Sequence, residues 1–482
     1  MDSIVVKIAI ARPLDRLFTY SIPSEKRDLV VLGAWVKVSF GRSTTYGFIQ
    51  EVMGNLSQIE LDFPKTQLKS VIDVGPLDQA LPEKILALCQ WTSKYYCTAL
   101  GEVCQTASPL STLGLKTAVK EAKGLKTKDA VIQVVKDLTE EQSESVKFIL
   151  EKMGAEKSPV VLLKGVTGSG KTEVYFEVAR EVLRSGKGVL FLVPEIALTS
   201  QLVRRIEEGL GERVVEWHSA MSPGKRRDQT AALRKGVLRV VVGARSGVFS
   251  PVPNLGLIVV DEEHDPTYKQ EDRVRYHARD LAIVRAKMED AAVILGSATP
   301  SLESVHRCDQ GKYHFSELKS RFSKQGMPNI ELVSLKDELC VEGIQARLAE
   351  RTLTEIRETI SRGDQVMLFL NRRGFAQFLL CEDCGEVEEC PNCSISLTYH
   401  FQKKQLKCHV CGFEEKVPDA CQKCGSMNQE MMGAGTESLE EEIPKLLPDA
   451  RILRLDRDTV TSATRLEAIL DDFRYKIGRA HV

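Results

Sequence analysis

Residues 165–172 read Gly165-Val166-Thr167-Gly168-Ser169-Gly170-Lys171-Thr172, a G-x-x-x-x-G-K-T octet. Residues without Cβ reach dihedrals that let successive backbone amides wrap a polyphosphate, and a helix start adds partial positive charge at the same point. In that chemistry Lys171 reaches the β- and γ-phosphates and the Thr172 hydroxyl ligates Mg²⁺. The bland alternative is an accidental Gly-rich turn. Against it, an apolar run at 160–163 leads into the octet and a helical pattern opens at Glu173. That is the strand–loop–helix setting in which the octet binds phosphate. The octet marks a nucleoside triphosphate site, read as ATP with Mg²⁺.

A second apolar run, 257–260, ends in Asp261-Glu262-Glu263-His264. There Asp261 would hold Mg²⁺ through its water shell and Glu262 would polarise the attacking water. A solvated acidic loop end is the alternative, and the P-loop earlier in the same strand–helix pattern weighs against it. Gly296-Ser297-Ala298-Thr299-Pro300-Ser301 closes another strand. Its hydroxyls can link the carboxylates to a neighbouring lobe, although alone they would read as an N-cap and turn. Between these lies 268–279, where Tyr268, Lys269, Arg273, Arg275, Tyr276 and Arg279 interleave aromatic and basic residues. Such interleaving suits base stacking plus phosphate contact on a single strand. A solvated charged loop fits the residues equally well.

Thirteen cysteines are present, and eight form four C-x-x-C pairs: Cys381/Cys384, Cys390/Cys393, Cys408/Cys411 and Cys421/Cys424. Eight thiolates so spaced make two tetrahedral Cys₄ zinc sites. An iron–sulfur cluster and redox-active pairs compete with that reading. Spacing leaves open which pairs share an ion. Cys89, Cys97, Cys104, Cys308 and Cys340 show no ligand spacing and are read as small core residues.

The elements that must position these groups follow from patterning. Runs at 160–163, 189–193, 238–242, 257–260 and 292–295 alternate with helical stretches, so 158–305 is a doubly wound parallel α/β domain. Thr139 and Gln142 form a helix start of the capping-box type just before it. Residues 3–52 read as short strands and turns of a small β-module, followed by a helical stretch over 82–104. Residues 112–137 are Lys-rich, a linker or short helix with a phosphate-contacting arm as the alternative. A charged helix and a strand ending in Asn371-Arg372-Arg373-Gly374-Phe375 start a second α/β lobe, interrupted by the cysteine block. The 482 residues suffice for about three domains, and a net charge of −1 confines any nucleic-acid footprint to local patches. No run approaches the ~18 apolar residues of a membrane span and no basic leader precedes an apolar core, so the expected location is cytoplasmic, with no membrane partner.

The order of P-loop, Asp-Glu-Glu-His, Gly-Ser-Ala-Thr-Pro-Ser, Leu-Asn-Arg-Arg-Gly-Phe and four C-x-x-C pairs resembles the PriA-type primosomal replication-restart helicases of bacteria, over about residues 5–475. The resemblance implies an α/β protein with two RecA-like parallel-sheet lobes of superfamily 2, a small N-terminal β-module and a zinc-binding insertion. It implies these divisions: 1–105 binding a 3′ DNA end, 106–137 a Lys-rich linker in place of a winged helix, 138–325 lobe 1, 326–482 lobe 2, and 381–424 the two-zinc insertion. Gln142 would recognise adenine. Residues 194–199 and Gly243-Ala244-Arg245-Ser246 would grip the strand, and Tyr268, Lys269, Arg275 and Tyr276 would belong to an aromatic-rich loop coupling single-stranded DNA to ATP turnover. Outer Cys pairs (Cys381, Cys384, Cys421, Cys424) would share one Zn²⁺, and inner pairs (Cys390, Cys393, Cys408, Cys411) the other. Phe18 and Tyr20 match the 3′-end pocket, with Thr19 where some members carry an acid. The implied partners are branched and single-stranded DNA, primosome proteins and single-strand-binding protein.

The implied activity is ATP-dependent 3′→5′ DNA unwinding at stalled or abandoned forks, with primosome assembly. The family's later lobe 2 motifs, whose arginines complete the ATP site, do not occur here. Lobe 2 is therefore expected to be incomplete, and 476–482 a truncation scar. The alternative reading is a DNA-structure-binding primosome scaffold with little ATPase activity.

Overall fold

The computed structural model describes residues 3–108, 137–194, 200–218, 221–322, 328–335, 339, 341, 348–369, 378–400, 405–408, 410–432, 443–448, 450–455, 463–475 and 480–481. Most of the Lys-rich stretch, residues 195–199, the Asn-Arg-Arg-Gly-Phe motif, Cys340 and residues 476–479 lie outside the described residues. The chain divides into two units, 1–327 and 328–482.

The first unit opens with an antiparallel sheet of β1 (Ile4–Ile10), β2 (Leu17–Ile22), β3 (Trp35–Phe40), β4 (Ser43–Asn55) and β5 (Asp73–Val74), in the order β2-β1-β4-β3-β5. β1 carries apolar residues on both faces because both are covered: Val6, Ile8 and Ile10 join Val36 and Ile49 in one core. The helical stretch expected over 82–104 is two helices, α1 (Glu83–Tyr95) and α2 (Leu100–Ala107), broken at Cys97, which has φ 49°. Leu81, Ile85 and Leu88 share a core with Phe249, Val252 and Leu281 further along the chain, so this module and the next are packed as one body. Arg234 donates to the main-chain carbonyls of Asp78 and Ala80 across that junction.

The next module runs α3 (Glu140–Ala155), β6 (Val160–Gly165), α4 (Lys171–Arg184), β7 (Gly188–Leu192), α5 (Ser200–Leu210), β8 (Val214–Trp217), α6 (Pro223–Arg234), β9 (Val240–Gly243) and β10 (Leu255–Asp261). A hairpin of β11 (Lys269–Gln270) and β12 (Tyr276–His277) follows, then α7 (Ala278–Glu289), β13 (Ala292–Ser297), α8 (Leu302–Asp309) and β14 (His314–Leu318). Seven strands form one parallel sheet, β14-β6-β13-β10-β7-β9-β8. Its strands are apolar almost throughout because helices bury both faces. The sheet holds two strands, β8 and β14, beyond the five that the apolar runs mark. Both are edges, and β14 alternates too weakly to stand out.

This order puts the carboxyl ends of β6, β13 and β10 side by side. Asp261 pairs with Gly296 in register, and Ser297 pairs with Lys164. The octet, the acidic run and the Ser/Thr turn therefore leave the sheet at one edge, where open α/β sheets bind ligands.

The second unit contains α9 (Glu350–Ser361), β15 (Val366–Met367), β16 (Phe378–Cys381), β17 (Thr398–His400), β18 (Gln405–Lys407), β19 (Glu414–Lys416), β20 (Gln429–Met432), α10 (Ala463–Tyr475) and β21 (Ala480–His481). Leu353, Ile356, Ile443 and Leu447 make one small core, and Leu379, Leu397, Tyr399 and Leu406 pack among cysteines in another. Among the described residues no helix is long and apolar enough to cross a membrane.

Candidate functional site

The octet turns from β6 into α4 through Gly168 and Gly170, both at φ +81°, a left-handed conformation that side chains resist. Lys171 begins α4, and its Nζ donates to the Gly165 carbonyl at 2.9 Å and stands 4.0 Å from Glu262. Ser169 Oγ is buried without a hydrogen-bond partner. A cleft with about 340 Å³ of open space is lined by the whole run from Val166 to Thr172, by Asp261 and Glu262, and by Gln142. A lysine at a helix start, an orphaned hydroxyl and a glycine loop, in one cleft with two carboxylates, fit a polyphosphate with its divalent cation.

The carboxylates differ in environment. Asp261 accepts from the Tyr175 hydroxyl at 3.0 Å. Burial lifts its carboxyl above the ordinary value, although the Tyr175 bond and Lys171 pull the other way. Burial and then the Asp261 charge likewise lift Glu262, which makes it a stronger base than a free glutamate. Glu262 sits at φ 46°, strained for a residue with a side chain.

Its neighbour Glu263 explains how that backbone is held. Glu263 is fully buried and accepts from the Ser301 amide (2.7 Å), Arg279 (2.8 Å), and the Ser301 and Ser304 hydroxyls (3.0 and 2.9 Å). Its own amide donates to Gly296 at 3.0 Å. On the other side His264 lies 2.8 Å from Ser297 Oγ and 3.4 Å from Thr299 Oγ1. The Ser/Thr turn is thus bonded to the acidic run from both flanks. From sequence, Glu263, Ser304 and Tyr175 had no role of their own, and Arg279 stood out only as part of the basic–aromatic segment. The one signal was a third consecutive acid at the end of an apolar strand, where only a paired carboxylate could be buried.

Gln142 lies against the octet, but with its carboxamide turned inward. It is 1% exposed, its Oε1 accepts from the Thr139 amide (2.9 Å), and its Nε2 donates to the Ser169 carbonyl (2.8 Å). The side chain ties α3 to the octet.

The basic-aromatic segment is the β11–β12 hairpin. Tyr268 and Tyr276, expected as stacking platforms for bases, are 1% and 2% exposed, so that expectation does not fit the structure. The Tyr268 hydroxyl sits 2.9 Å from the Leu192 carbonyl and 2.6 Å from that of Asp261, and the Tyr276 ring meets Phe249 edge-on at 5.5 Å. Alternation along the hairpin sends the tyrosines into the core and leaves Lys269 and Arg275 exposed. Arg245 reaches the hairpin through the carbonyls of Thr267 (3.5 Å) and Lys269 (3.3 Å).

In the N-terminal module, Tyr20 is buried and donates to the Ser39 carbonyl at 2.9 Å, so it offers no ring face either. Phe18 is half-buried, edge-on to Phe40 at 5.1 Å, with the Arg16 guanidinium 4.7 Å from its ring centre and Arg12 5.9 Å from that of Phe40. Guanidinium groups over aromatic rings form a surface suited to nucleotides.

The eight paired cysteines gather as Cys381, Cys384, Cys421 and Cys424, and as Cys390, Cys393, Cys408 and Cys411. All sulfurs within a group lie within 4.8 Å of one another, with closest separations of 3.5–3.7 Å. Four sulfurs ~2.3 Å from one tetrahedral ion stand ~3.8 Å apart, so both groups fit zinc. Of the remaining cysteines, Cys89 and Cys104 are buried as expected, whereas Cys97 is exposed at the α1–α2 turn and Cys308 is half-buried.

Family models match three stretches of the chain: a 3′DNA-binding domain over residues 7–109, a DEAD/DEAH box helicase over 139–308, and the PriA DNA helicase Cys-rich region over 390–416. The replication restart protein PriA of Bacillus subtilis is 44% identical over 336 residues, which are 70% of this chain and 42% of that protein. The PriA of Rickettsia felis is 34% identical over 95% of this chain and 67% of its own length. That of Haemophilus influenzae is 32% identical over 98% of this chain and 72% of its own.

Proposed function

The chain belongs to the family of the replication restart protein PriA, and from that premise we propose that it is an ATP-driven 3′→5′ DNA helicase that recognises stalled or abandoned forks and promotes primosome assembly. The observation that carries the proposal is one residue with two sides. The Asp261 carboxylate lines the nucleotide cleft, while its carbonyl accepts from Tyr268 at the root of the basic hairpin. Nucleotide chemistry and strand contact then share a backbone.

Within this reading Gly165, Val166, Thr167, Gly168, Ser169, Gly170, Lys171 and Thr172 hold the triphosphate, with Thr172 and Asp261 on Mg²⁺. Bound Mg²⁺ supplies charge neutralisation of the phosphates. Lys171 exchanges the Gly165 carbonyl for a phosphate oxygen, and Glu262 orients and deprotonates water. Phe18, Arg245, Lys269 and Arg275 contact DNA. The divisions are 1–105 for the DNA end, 106–137 as linker, 138–325 and 326–482 as the two lobes, and 381–424 as the insertion holding two Zn²⁺. Primosome proteins and single-strand-binding protein are its partners, in the cytoplasm.

The test is ATP hydrolysis by the 482-residue chain with and without forked DNA. Turnover stimulated by the fork is expected, with a loss of about 10²–10³-fold in Lys171→Ala. Hydrolysis by Lys171→Ala at the wild-type rate overturns the assignment of the octet, and indifference to DNA overturns the helicase.

A further inference from the structure

The segment after β14 is built onto the nucleotide loop. Glu141 accepts from the amides of Lys319 (3.0 Å) and Ser320 (3.1 Å) and from the Ser320 hydroxyl (2.9 Å). The Val166 amide donates to Leu318, and the Phe322 amide donates to Gly168 at 3.0 Å. These bonds fix residues 318–322 along the rim of the cleft, and they fix Phe322 there with 57% of its surface exposed.

An exposed phenyl ring forgoes burial worth roughly 1.5–3 kcal/mol. A segment bonded through the main chain at Leu318, Lys319, Ser320 and Phe322 itself holds that ring at the rim, away from the core. Phe322 is the aromatic residue among those lining the cleft, and it lines it together with Asp137, Gln142 and the octet. Gln142, to which the family resemblance assigns base recognition, has its carboxamide committed to Thr139 and Ser169. Gln142 therefore offers little to the polar edge of a base, while the flat apolar face of a base finds Phe322.

We propose that Phe322 is the stacking platform for the purine base of the nucleotide whose phosphates the octet holds. The proposal rests on the reading of the cleft as a nucleoside triphosphate site and adds the residue that recognises the base. It makes affinity depend on a ring outside the octet, contributed by the segment that follows β14, the sheet edge next to β6. Stacking tolerates either purine, so the contact favours purine over pyrimidine nucleotides more than adenine over guanine.

The experiment compares wild type, Phe322→Ala, Phe322→Trp and Lys171→Ala in the full chain, measuring Kd for Mg²⁺-ATP, Mg²⁺-CTP and inorganic tripolyphosphate by calorimetry. Because the ring is mostly solvent-exposed, Phe322→Ala is expected to melt as the wild type does. It should bind ATP about 5- to 100-fold more weakly while binding tripolyphosphate equally well, and lose the preference for ATP over CTP. Phe322→Trp should restore ATP affinity, with quenching of its fluorescence on binding. Unchanged ATP affinity in Phe322→Ala, alongside lost binding in Lys171→Ala, overturns the stacking role and leaves the cleft assignment standing. Parallel weakening of tripolyphosphate also overturns it, since the residue then acts by holding the loop. Failure of the wild type to bind ATP or tripolyphosphate overturns the cleft assignment and the stacking role together.

Discussion

Glu263→Gln tests how the acidic run is held. The substitution keeps the shape but removes the charge from a fully buried carboxylate that accepts from Arg279, the Ser301 amide and two hydroxyls. The serines can rotate to accept from the new amide, but Arg279 has only donors and is left facing another donor or a neutral oxygen. Removing one partner of a buried pair costs about 3–5 kcal/mol. Arg279 keeps its bond to Asp280 at 3.1 Å, so the lower end, ~3 kcal/mol, is expected. In a unit of 327 residues that is a fall in Tm of roughly 4 °C. The pH dependence sharpens the test. Burial pushes the Glu263 carboxyl up, but the Ser301 amide, Arg279 and Ser304 outweigh it and leave the folded group below its ordinary 4.5. A depressed carboxyl contributes stability that is complete above 4.5 and is lost as pH falls through the folded value. Glutamine does not titrate, so the gap between wild type and variant is widest at pH 7 and narrows in acid. Melting followed by near-UV circular dichroism from pH 7 downward measures it. A variant melting within about 1 °C of wild type at pH 7, or a gap that stays constant into acid, refutes the reasoning.

Two further changes probe other parts of the chain. A Cβ at residue 296 would stand 1.6 Å from the Tyr175 hydroxyl, which bonds Asp261, so Gly296→Ala must displace that tyrosine. A loss of about 1–3 kcal/mol in urea unfolding is expected, together with a higher Mg²⁺ requirement for hydrolysis; if neither changes, Tyr175 is not what holds Asp261. Thiol modification of the purified chain should release about two zinc ions, read with a colorimetric chelator, and Cys384→Ala about one. Release of none, or an iron chromophore in the intact chain, contradicts the zinc assignment.

What the sequence disclosed follows from how each site is built. The octet was legible because phosphate binding uses consecutive residues, and its strand and helix carry their own apolar patterns. Asp261 and Glu262 were legible for the same reason, as the end of one apolar run. Gln142, Tyr268 and Tyr276 were legible as positions, but the direction in which their polar groups face was not. A capping-box glutamine reads the same whether its amide faces a base or the Ser169 carbonyl. Tyrosines among lysines and arginines likewise read the same whether their rings meet a base or alternate into a core. Glu263 and Phe322 were hidden because their partners are remote in sequence: Arg279, Ser301 and Ser304 for the first, Gly168 for the second. Only the sheet order, which sets β13 between β6 and β10 and β14 beside β6, brings those partners within reach.

The same order gives the hairpin its hold on the carboxylates. Two tethers join them, the Tyr268 hydroxyl on the Asp261 carbonyl and Arg279 on Glu263, and Arg245 separately holds the hairpin through the Thr267 and Lys269 carbonyls. The two tethers attach at the two ends of the hairpin, on either side of Glu262, whose left-handed backbone is the strained residue between them. A strained residue held at both neighbours moves when either anchor moves, because the strain favours release. The exposed Lys269 and Arg275 lie between the anchors, on the outward face. On the proposed function, a polyanionic strand drawn to those side chains would pull on a hairpin anchored through Tyr268 and Arg279. Displacing either anchor would move the backbone that presents the Glu262 carboxylate to the cleft. On the proposed function the two tyrosines are linkage rather than contact: both are buried, Tyr268 donates to the Leu192 and Asp261 carbonyls, and Tyr276 packs its ring against Phe249.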